Sequence, residues 1–400
     1  MSSTFLTLSA QHMRPCAAPT ELSEHTVEVG ADRQPRISKI LSHFLKKLLS
    51  PSDAPALTVR TSGSTGMPKQ TVLSSRALAA SGHATEAFVG VKNAQWMLAL
   101  PVHYVAGAQV LARSVLAGTT PVVTDSIARG SSFNALDFLR TCERMSSNHR
   151  MLSLVPTQLH MLLEAAEHTP EVLDALATFN GILLGGAPSS AALLNNAEQA
   201  HLQVLTTYGS AETSGGCVYN GIPLPGITVG FEPSSQDDGA PARIWLGGAP
   251  IASGYLNNQP RTQQHFFIDD VGTPWYRTDD LGQVAENRLT VAGRDDDLII
   301  TGGVKVSPAP IATKLEEHPV VREAFVCGVP DPKWGQAAVA AVNVRSSSAN
   351  LHAELTALAS KLEPVQRPKH LLILPEFPVL STGKPDRQKL QQMLASSYGS

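Results

Sequence analysis

The sequence predicts an α/β fold with a large N-terminal domain of parallel sheets flanked by helices plus a small β region, followed by a small α+β C-terminal domain. Three observations support this prediction. Short apolar runs alternate with helical stretches between residues 56 and 209, which is typical of a parallel sheet covered on both faces. After Gly221, turns rich in Gly and Asn separate strand-like runs and indicate antiparallel structure. Beyond residue 295 the pattern changes again and indicates a separate small unit.

The individual elements follow from the same patterning. A helix is expected at residues 37–49, where apolar side chains recur on one face. In the large domain, apolar runs predict strands at 56–60, 96–100, 120–124, 151–156, 181–186 and 202–209, with helices at 75–88, 107–116, 133–145, 157–167 and 189–200. In the small domain we expect helices at 311–317 and 351–362 and strands at 322–329, 337–344 and 370–375. The predicted domains are residues 1–295 and 296–400.

Composition excludes several functional classes. The 400 residues carry a formal net charge of -3, and charged residues make up only 16%, so the chain has no basic field for nucleic acid. Polar residues interrupt the longest apolar region, at 96–116, and no transmembrane helix or membrane insertion is expected. The N-terminus has no positive residue before its short apolar stretch, and the four cysteines lie far apart without a CxxC pair. We therefore expect a cytoplasmic protein without disulfides or a zinc site.

A loop rich in glycine and hydroxyl groups stands out at residues 61–69. Its sequence, Thr61-Ser-Gly-Ser-Thr-Gly-Met-Pro-Lys69, follows a predicted strand and precedes a helix expected from about Ser74. Backbone N–H groups and hydroxyls of such a loop can surround phosphate oxygens, and Lys69 adds a positive charge. An ordinary polar turn between a strand and a helix is the alternative, and the Walker pattern does not fit. All nine residues match the phosphate loop of the adenylate-forming enzymes, the AMP-binding superfamily of acyl-CoA synthetases, luciferases and peptide-synthetase adenylation domains.

Four further segments resemble motifs of this superfamily and occur in its order. They are Gly185-Gly-Ala-Pro188, the YGxTE-like Tyr208-Gly-Ser-Ala-Glu-Thr213, the YxTGD-like Tyr276-Arg-Thr-Asp-Asp280, and Gly293-Arg-Asp-Asp-Asp297 with Gly302-Gly303. A fifth, Ser381-Thr-Gly-Lys-Pro-Asp-Arg387, resembles the terminal GKxxR loop. Ala211 and Asp279 depart from the superfamily pattern, which usually has Thr and Gly at these positions.

The resemblance implies roles for these residues. Lys384, Glu212 and Thr213 would be catalytic, and Glu212 and Thr65 would hold magnesium. Asp296 would be the hinge about which a mobile C-terminal lid swings. Nucleotide and cofactor binding would fall to Thr61, Ser62, Gly63, Ser64, Thr65, Gly66, Lys69, Gly185, Gly186, Ala187, Pro188, Tyr208, Gly209, Asp280, Arg294, Gly302 and Gly303.

The superfamily reaction has two halves. A carboxylate attacks the α-phosphate of ATP to give an acyl-adenylate and pyrophosphate, and a thiol then releases AMP. No side-chain nucleophile is required, so the protein positions the reactants and neutralises charge. The resemblance implies ATP, Mg²⁺ and coenzyme A as cofactors or co-substrates, with a homodimer as a further expectation.

Within the superfamily the chain resembles the short o-succinylbenzoate–CoA ligases of actinobacteria, which serve menaquinone biosynthesis. The phosphate loop begins at residue 61, so the N-terminal domain is shorter than is typical, and the stretches 98–114 and 208–224 look like this subgroup. The resemblance places the acid near His103, Tyr104, Arg113, Ser214 and Gly215. Arg113 is either the donor for the second carboxylate of the substrate or a surface residue of an amphipathic helix.

Two other functions are compatible with the sequence. The chain could be a different aryl-acid CoA ligase or a stand-alone adenylation enzyme that loads a carrier protein. It could also be a silent relative acting as a scaffold, although Lys69, Glu212, Asp280, Arg294 and Lys384 are all retained. A dinucleotide-binding oxidoreductase is rejected, because no GxGxxG opens a βαβ unit.

Overall fold

The computed structural model describes residues 4–8, 12–22, 26–29, 37–61, 69–233, 241–379 and 385–399. The strands in these ranges are β1 (Phe5–Thr7), β2 (Arg14–Pro15), β3 (Val27–Val29), β4 (Pro55–Thr61), β5 (Lys69–Ser74), β6 (Gln95–Leu98), β7 (Val122–Val123), β8 (Arg150–Leu154), β9 (Gly181–Leu184), β10 (Val204–Ser210), β11 (Gly215–Tyr219), β12 (Ile222–Pro223), β13 (Ile227–Phe231), β14 (Ala242–Gly248), β15 (Gly254–Tyr255), β16 (Phe266–Ile268), β17 (Pro274–Ala285), β18 (Arg288–Arg294), β19 (Ile299–Thr301), β20 (Val304–Val306), β21 (Val321–Asp331), β22 (Gly335–Val344) and β23 (His370–Leu374). The helices are α1 (Ile37–Lys47), α2 (Ser75–Val89), α3 (Val105–Leu116), α4 (Asp125–Arg129), α5 (Ala135–Glu143), α6 (Pro156–Ala166), α7 (Glu171–Ala177), α8 (Ala191–Gln199), α9 (Gln259–His265), α10 (Pro308–Glu316), α11 (Leu351–Ala359) and α12 (Arg387–Tyr398).

A mixed seven-stranded sheet forms the centre of the large domain. Its order is β12-β11-β10-β9-β8-β6-β7, and the five strands from β10 to β7 run parallel. Strands such as β6 and β9 are buried along their whole length because helices cover both faces of the sheet. The parallel sheet predicted from alternating strands and helices is therefore confirmed for this part of the chain.

The first predicted strand, however, does not belong to the parallel sheet. β4 pairs antiparallel with β5, and both lie in a separate sheet of order β15-β5-β4-β3. The glycine-rich loop therefore joins two antiparallel strands, and the prediction of a strand followed directly by a helix is wrong. Strand β5 could not be predicted from the sequence, because the strand opens with the polar pair Lys69-Gln70 and is only six residues long.

The antiparallel region expected after Gly221 is a larger sheet than the sequence indicated. Strand β13 pairs with β14, β16 with β17, and β17 with β18, each with its neighbour in the sequence, while β14 also pairs with the more distant β17. Strands β1 and β2 from the first fifteen residues complete the edges of the sheet. These two N-terminal strands are three and two residues long. They are too short to show a period-two pattern, so the sequence did not predict them.

The C-terminal unit is built on a sheet of order β20-β19-β22-β21, with β23 beside β22. Nearly every residue of β22 is buried, because α10 and α11 cover one face of the sheet and α12 covers the other. Helix α12 was not predicted. Its buried side chains are only Leu390 and Leu394, which leaves a weak helical pattern.

Charged side chains connect the C-terminal unit to the large domain. The guanidinium of Arg322 in β21 donates to both carboxylate oxygens of Glu164 in α6, at 2.6 and 3.0 Å. Arg345 approaches the same carboxylate at 3.5 Å. Within the described ranges, none of the helices has the length and apolar character required to cross a membrane.

Candidate active site

Lys69 opens β5, directly after the glycine-rich segment in the sequence. Thr61 and Lys69 are paired across β4 and β5, and seven residues separate them in the sequence. Ser62, Gly63, Ser64, Thr65 and Gly66 lie outside the described residues, and their roles stay predictions. Lys69 is partly buried, and this burial lowers the pKa of its ammonium group.

A tight turn presents Glu212 and Thr213 directly after β10. The backbone N–H of Ser210 donates to the Thr213 hydroxyl at 2.9 Å, and that hydroxyl donates to the carbonyl of Gly215 at 2.7 Å. Gly209 is required at the start of this turn, because its φ is +154° and a Cβ would lie 2.3 Å from the Gly215 carbonyl oxygen. The turn therefore fixes the direction in which both side chains leave the backbone.

Glu212 is buried, and its charge is met by a tyrosine. The hydroxyl of Tyr255 donates to Glu212 Oε1 at 2.8 Å. The ammonium of Lys69 lies 5.4 Å from the centroid of the same tyrosine ring. Lys69 and Glu212 therefore both contact Tyr255, a residue that none of the sequence motifs contains.

Tyr208, Asp280 and Arg294 form a second polar cluster. The Tyr208 hydroxyl donates to Asp280 Oδ2 at 2.7 Å, and the Arg294 guanidinium lies 3.4 Å from Asp280 Oδ1. Burial raises the pKa of the Asp280 carboxyl group, although the hydrogen bond from Tyr208 and the charge of Arg294 act in the opposite direction. Three residues from separate motifs, predicted to contact the nucleotide, therefore meet in one place.

The turn after β9 carries the segment Gly185-Gly-Ala-Pro188. A Cβ at Gly185 would lie 2.2 Å from the Thr207 hydroxyl oxygen on the neighbouring strand, and Gly186 has a φ of +89°. Gly186 therefore favours glycine because of its backbone conformation, and Gly185 because a Cβ would collide with the Thr207 side chain. Ala187 and Pro188 complete the turn before α8 begins.

His103 and Tyr104 lie in the turn that precedes α3. Their ring centroids are 4.2 Å apart, and His103 is buried. Neither of its ring nitrogens has a hydrogen-bond partner among the residues that the structure describes. Burial lowers the pKa of the His103 imidazole, so this ring is neutral near neutral pH.

Arg113 is buried, with 7% of its surface exposed, so the alternative of a surface arginine is wrong. It lines a small cavity with Gly82, Thr85 and Trp96, and its guanidinium carbon lies 5.2 Å from the centroid of the Trp96 ring. One guanidinium nitrogen donates to the Tyr219 hydroxyl at 3.2 Å, while Nε has no hydrogen-bond partner in the described part of the chain.

The same helix ties Arg113 to the Glu212 turn. Gln109 lies one helical turn earlier, and its amide donates to the carbonyl of Ser214 at 2.7 Å. Ser214 adopts a left-handed conformation with a φ of +53°, and Ser81 also donates to its carbonyl, at 3.0 Å. Gly215 follows and opens β11, which leads to Tyr219.

The remaining predicted residues are spread over the junction and the C-terminal unit. Both guanidinium contacts from Arg294 to Asp296 measure 2.8 Å, which places the predicted hinge beside the Asp280 cluster. Gly302 and Gly303 form the turn of the β19–β20 hairpin, with φ values of +58° and +81°. Lys384 lies outside the described residues.

Comparisons with known proteins identify the family. The model of the family described as "AMP-binding enzyme" matches residues 10–256, and the model of its C-terminal domain matches residues 311–384. The chain belongs to the AMP-binding enzyme family. The resemblance inferred from the six motifs is thus confirmed at this level.

Several AMP-binding enzymes are similar to most of the chain. A probable 2-succinylbenzoate–CoA ligase of Mycobacterium tuberculosis is 37% identical over 348 residues, which cover 86% of this chain and 85% of that protein. The structure of o-succinylbenzoate CoA synthetase (MenE) from Bacillus subtilis with the acyl-adenylate OSB-AMP has a TM-score of 0.71 at 28% identity, covering 85% of this chain and 69% of that one. The same enzyme with ATP and a magnesium ion has a TM-score of 0.69 at 27% identity, covering 85% and 70%.

The residues of this AMP-binding enzyme fit a magnesium ion that arrives with the nucleotide. Within the described residues, no group of three or more His, Cys, Asp or Glu side chains could hold a metal ion by itself. Magnesium is commonly bound by one or two carboxylates together with substrate phosphates. Glu212 supplies one such carboxylate, with one oxygen held by Tyr255 and no donor from a described residue on the other.

Sequence reasoning missed the residues that hold the predicted ones in place. Tyr255 is 43 positions from Glu212, and Tyr219 is 106 positions from Arg113. No motif spacing connects these pairs, because their contacts depend on how separate sheets pack. The only available signal was the presence of tyrosine, an amphipathic residue, in otherwise apolar strands.

Proposed function

We propose that this AMP-binding enzyme is an ATP-dependent acid–thiol ligase that adenylates o-succinylbenzoate and transfers the acyl group to coenzyme A. The 37% identical mycobacterial relative, matched over most of both chains, supports this choice. The menaquinone pathway is the setting that this substrate implies.

The observation that carries the choice of acid is the environment of Arg113. Its guanidinium is buried, yet it forms no ion pair with any carboxylate of the described residues; Glu86 lines the same cavity without pairing with it. A buried charge without a counter-ion is unfavourable, so the site is suited to an anionic group brought by a ligand.

The position of Arg113 agrees with a dicarboxylic aromatic acid. Gln109, one helical turn or about 6 Å away on α3, holds the backbone beside Thr213. An acid whose reacting carboxylate lies near Thr213 would direct its far end along α3 towards Arg113 and Trp96. The Trp96 ring would then flank the aromatic part of the substrate.

The nucleotide would lie across the other clusters. Asp280 would accept hydrogen bonds from the ribose hydroxyls, held in orientation by Tyr208 and Arg294. Lys69 and the hydroxyl groups of the glycine-rich loop would hold the phosphates, and Lys384 would stabilise the charge that develops at the α-phosphate. Magnesium, when bound, would offset the charge of the triphosphate beside Glu212.

A direct assay tests the proposal. The full chain is incubated with ATP, Mg²⁺ and a panel of aryl and aliphatic acids, with coenzyme A or a carrier protein as acceptor, while pyrophosphate, AMP and the thioester are measured. We expect o-succinylbenzoate with coenzyme A to give the highest kcat/KM. Preference for another acid or for a carrier protein would replace this function with the corresponding alternative, and absence of AMP with every acid would favour a silent relative.

The homodimer and the cytoplasmic location expected from the sequence stay predictions. Light scattering of the purified chain measures the first directly, with a mass twice 42.4 kDa as the expected result.

A further inference from the structure

We infer that Tyr255 is a positioning residue that orients the Glu212 carboxylate for the magnesium–nucleotide complex. This inference rests on the proposed function for its chemistry. None of the six sequence motifs contains Tyr255, and its role follows from the groups that its side chain contacts.

The Tyr255 hydroxyl can act only as the donor towards Glu212. An ionised carboxylate accepts hydrogen bonds and has none to give, and the two oxygens are 2.8 Å apart. The bond leaves the second carboxylate oxygen without a donor from the described residues, so a cation has one oxygen of fixed orientation available to it. Hydrogen-bonded supporting residues of this kind set the geometry of metal-binding carboxylates.

The ring of Tyr255 is itself immobilised, so the orientation it gives to Glu212 is well defined. Only 1% of Tyr255 is exposed, and Phe266 packs edge-on at 5.1 Å with an interplanar angle of 79°. Its backbone N–H donates to the Thr262 hydroxyl at 3.1 Å, and β15 pairs with β5 in the register Tyr255 with Thr71.

Tyr255 also joins two parts of the nucleotide site. Strand β5 begins at Lys69, so pairing between β15 and β5 ties Tyr255 to the strand that leaves the glycine-rich loop. Lys69 lies over the ring while the hydroxyl points to Glu212. One side chain therefore sets the relative position of the cation that would meet the phosphates and the carboxylate that would meet the metal.

The experiment compares Tyr255→Phe with Tyr219→Phe in the full chain. Both changes delete one hydroxyl from a tyrosine that is at most 1% exposed, and both keep the ring. The hydroxyl of Tyr219 contacts Thr85 and Arg113, away from Glu212. The measured quantity is the affinity of Mn²⁺ for the complex of each protein with α,β-methylene-ATP, followed by the electron paramagnetic resonance signal of free Mn²⁺, with thermal unfolding as a check on folding.

We expect Tyr255→Phe to weaken Mn²⁺ binding roughly tenfold, the lower end of the loss that follows removal of a residue supporting a metal ligand. Tyr219→Phe should bind Mn²⁺ as the wild type does. Wild-type affinity in Tyr255→Phe, an equal loss in Tyr219→Phe, or no Mn²⁺ binding by the wild-type complex would overturn the inference.

A second variant keeps the test decisive if Tyr255→Phe does not fold. Thr262→Val removes the hydroxyl that accepts the hydrogen bond from the Tyr255 backbone N–H, so the Tyr255 side chain is held less firmly. This change should weaken Mn²⁺ binding by a smaller factor, about two- to threefold, with no further effect when added to a folded Tyr255→Phe. Unchanged affinity in Thr262→Val would count against the inference. Because no acid is present in these measurements, their outcome is separate from the test of the proposed substrate.

Discussion

Replacing Arg113 with methionine should separate stability from activity. Methionine is apolar and similar in length, and it removes a guanidinium that is buried without a carboxylate partner among the described residues. A substitution that only damaged the core would lower stability and activity together. We expect this one to reduce activity towards the dicarboxylic acid while leaving the fold intact.

The magnitudes follow from the contacts of Arg113. Loss of the bond to Tyr219 and of the contact with Trp96 would destabilise the protein by about 1–3 kcal/mol in total. Removing an uncompensated buried charge is favourable by several kcal/mol, so the free energy of unfolding should be unchanged or higher by about 1–2 kcal/mol. Removing the partner of a bound carboxylate typically weakens binding by about 2–5 kcal/mol. Since the Tyr219 hydroxyl stays beside the cavity, we expect a loss of about 3 kcal/mol, or roughly a hundredfold in kcat/KM.

The assay compares two substrates and two variants. kcat/KM is measured with o-succinylbenzoate and with 3-benzoylpropionate, which lacks the carboxylate on the ring, and unfolding is followed in urea. Arg113→Met should lose its hundredfold only with the dicarboxylate, and Arg113→Lys, which keeps the charge but not the planar fork, should lose less. Full activity of Arg113→Met with o-succinylbenzoate, or an equal loss with both acids, would refute the reasoning.

Three other changes probe the rest of the site. Tyr208→Phe removes the hydrogen-bond donor to Asp280, so KM for ATP should rise several-fold. Loss of that donor also raises the pKa of Asp280 further, so the increase of this KM on acidification should begin at a higher pH than in the wild type. A pH series of initial rates measures both effects. Gly185→Ala places a Cβ against the Thr207 hydroxyl and should lower the free energy of unfolding by about 1–3 kcal/mol in urea titrations; an unchanged value would show that the turn can relax. Lys384→Ala should nearly abolish pyrophosphate release yet largely spare thioester formation from supplied acyl-adenylate, and normal adenylation by this variant would show that the terminal loop has been assigned wrongly.

The sequence predicted those parts of the fold in which several residues in a row share one environment. The strands that became β8, β9 and β10 and the helices between them were located closely, because a parallel sheet covered on both faces produces continuous apolar runs. Strand β5 was missed because only its last four residues are buried. The edge strands β1 and β2 were missed because they are too short to carry a pattern.

The residues of the candidate site were likewise only partly predictable from the sequence. Motifs located Tyr208, Glu212, Asp280 and Arg294, and the structure brings the first, third and fourth into contact. What the motifs could not give was the identity of the supporting side chains. Tyr255 is 43 residues from Glu212 in the sequence, and β15, which carries it, pairs with a strand more than 180 residues away, β5. For Arg113 the sequence did identify the residue as a candidate. Its burial and its lack of a carboxylate partner among the described residues became evident only from the packing of α3.

Because the ion pair of Arg322 with Glu164 links the C-terminal unit to the large domain, we expect the turnover rate to depend on ionic strength. Their side chains are 24% and 29% exposed, so salt screens the attraction, and a pair of this kind stabilises one arrangement by at most about 1 kcal/mol. If the C-terminal unit changes its orientation between the two half-reactions, this forked contact opens once and re-forms once in each cycle. A rate limited by that movement would then increase with added potassium chloride, whereas a rate limited by bond formation at phosphorus or carbon would not.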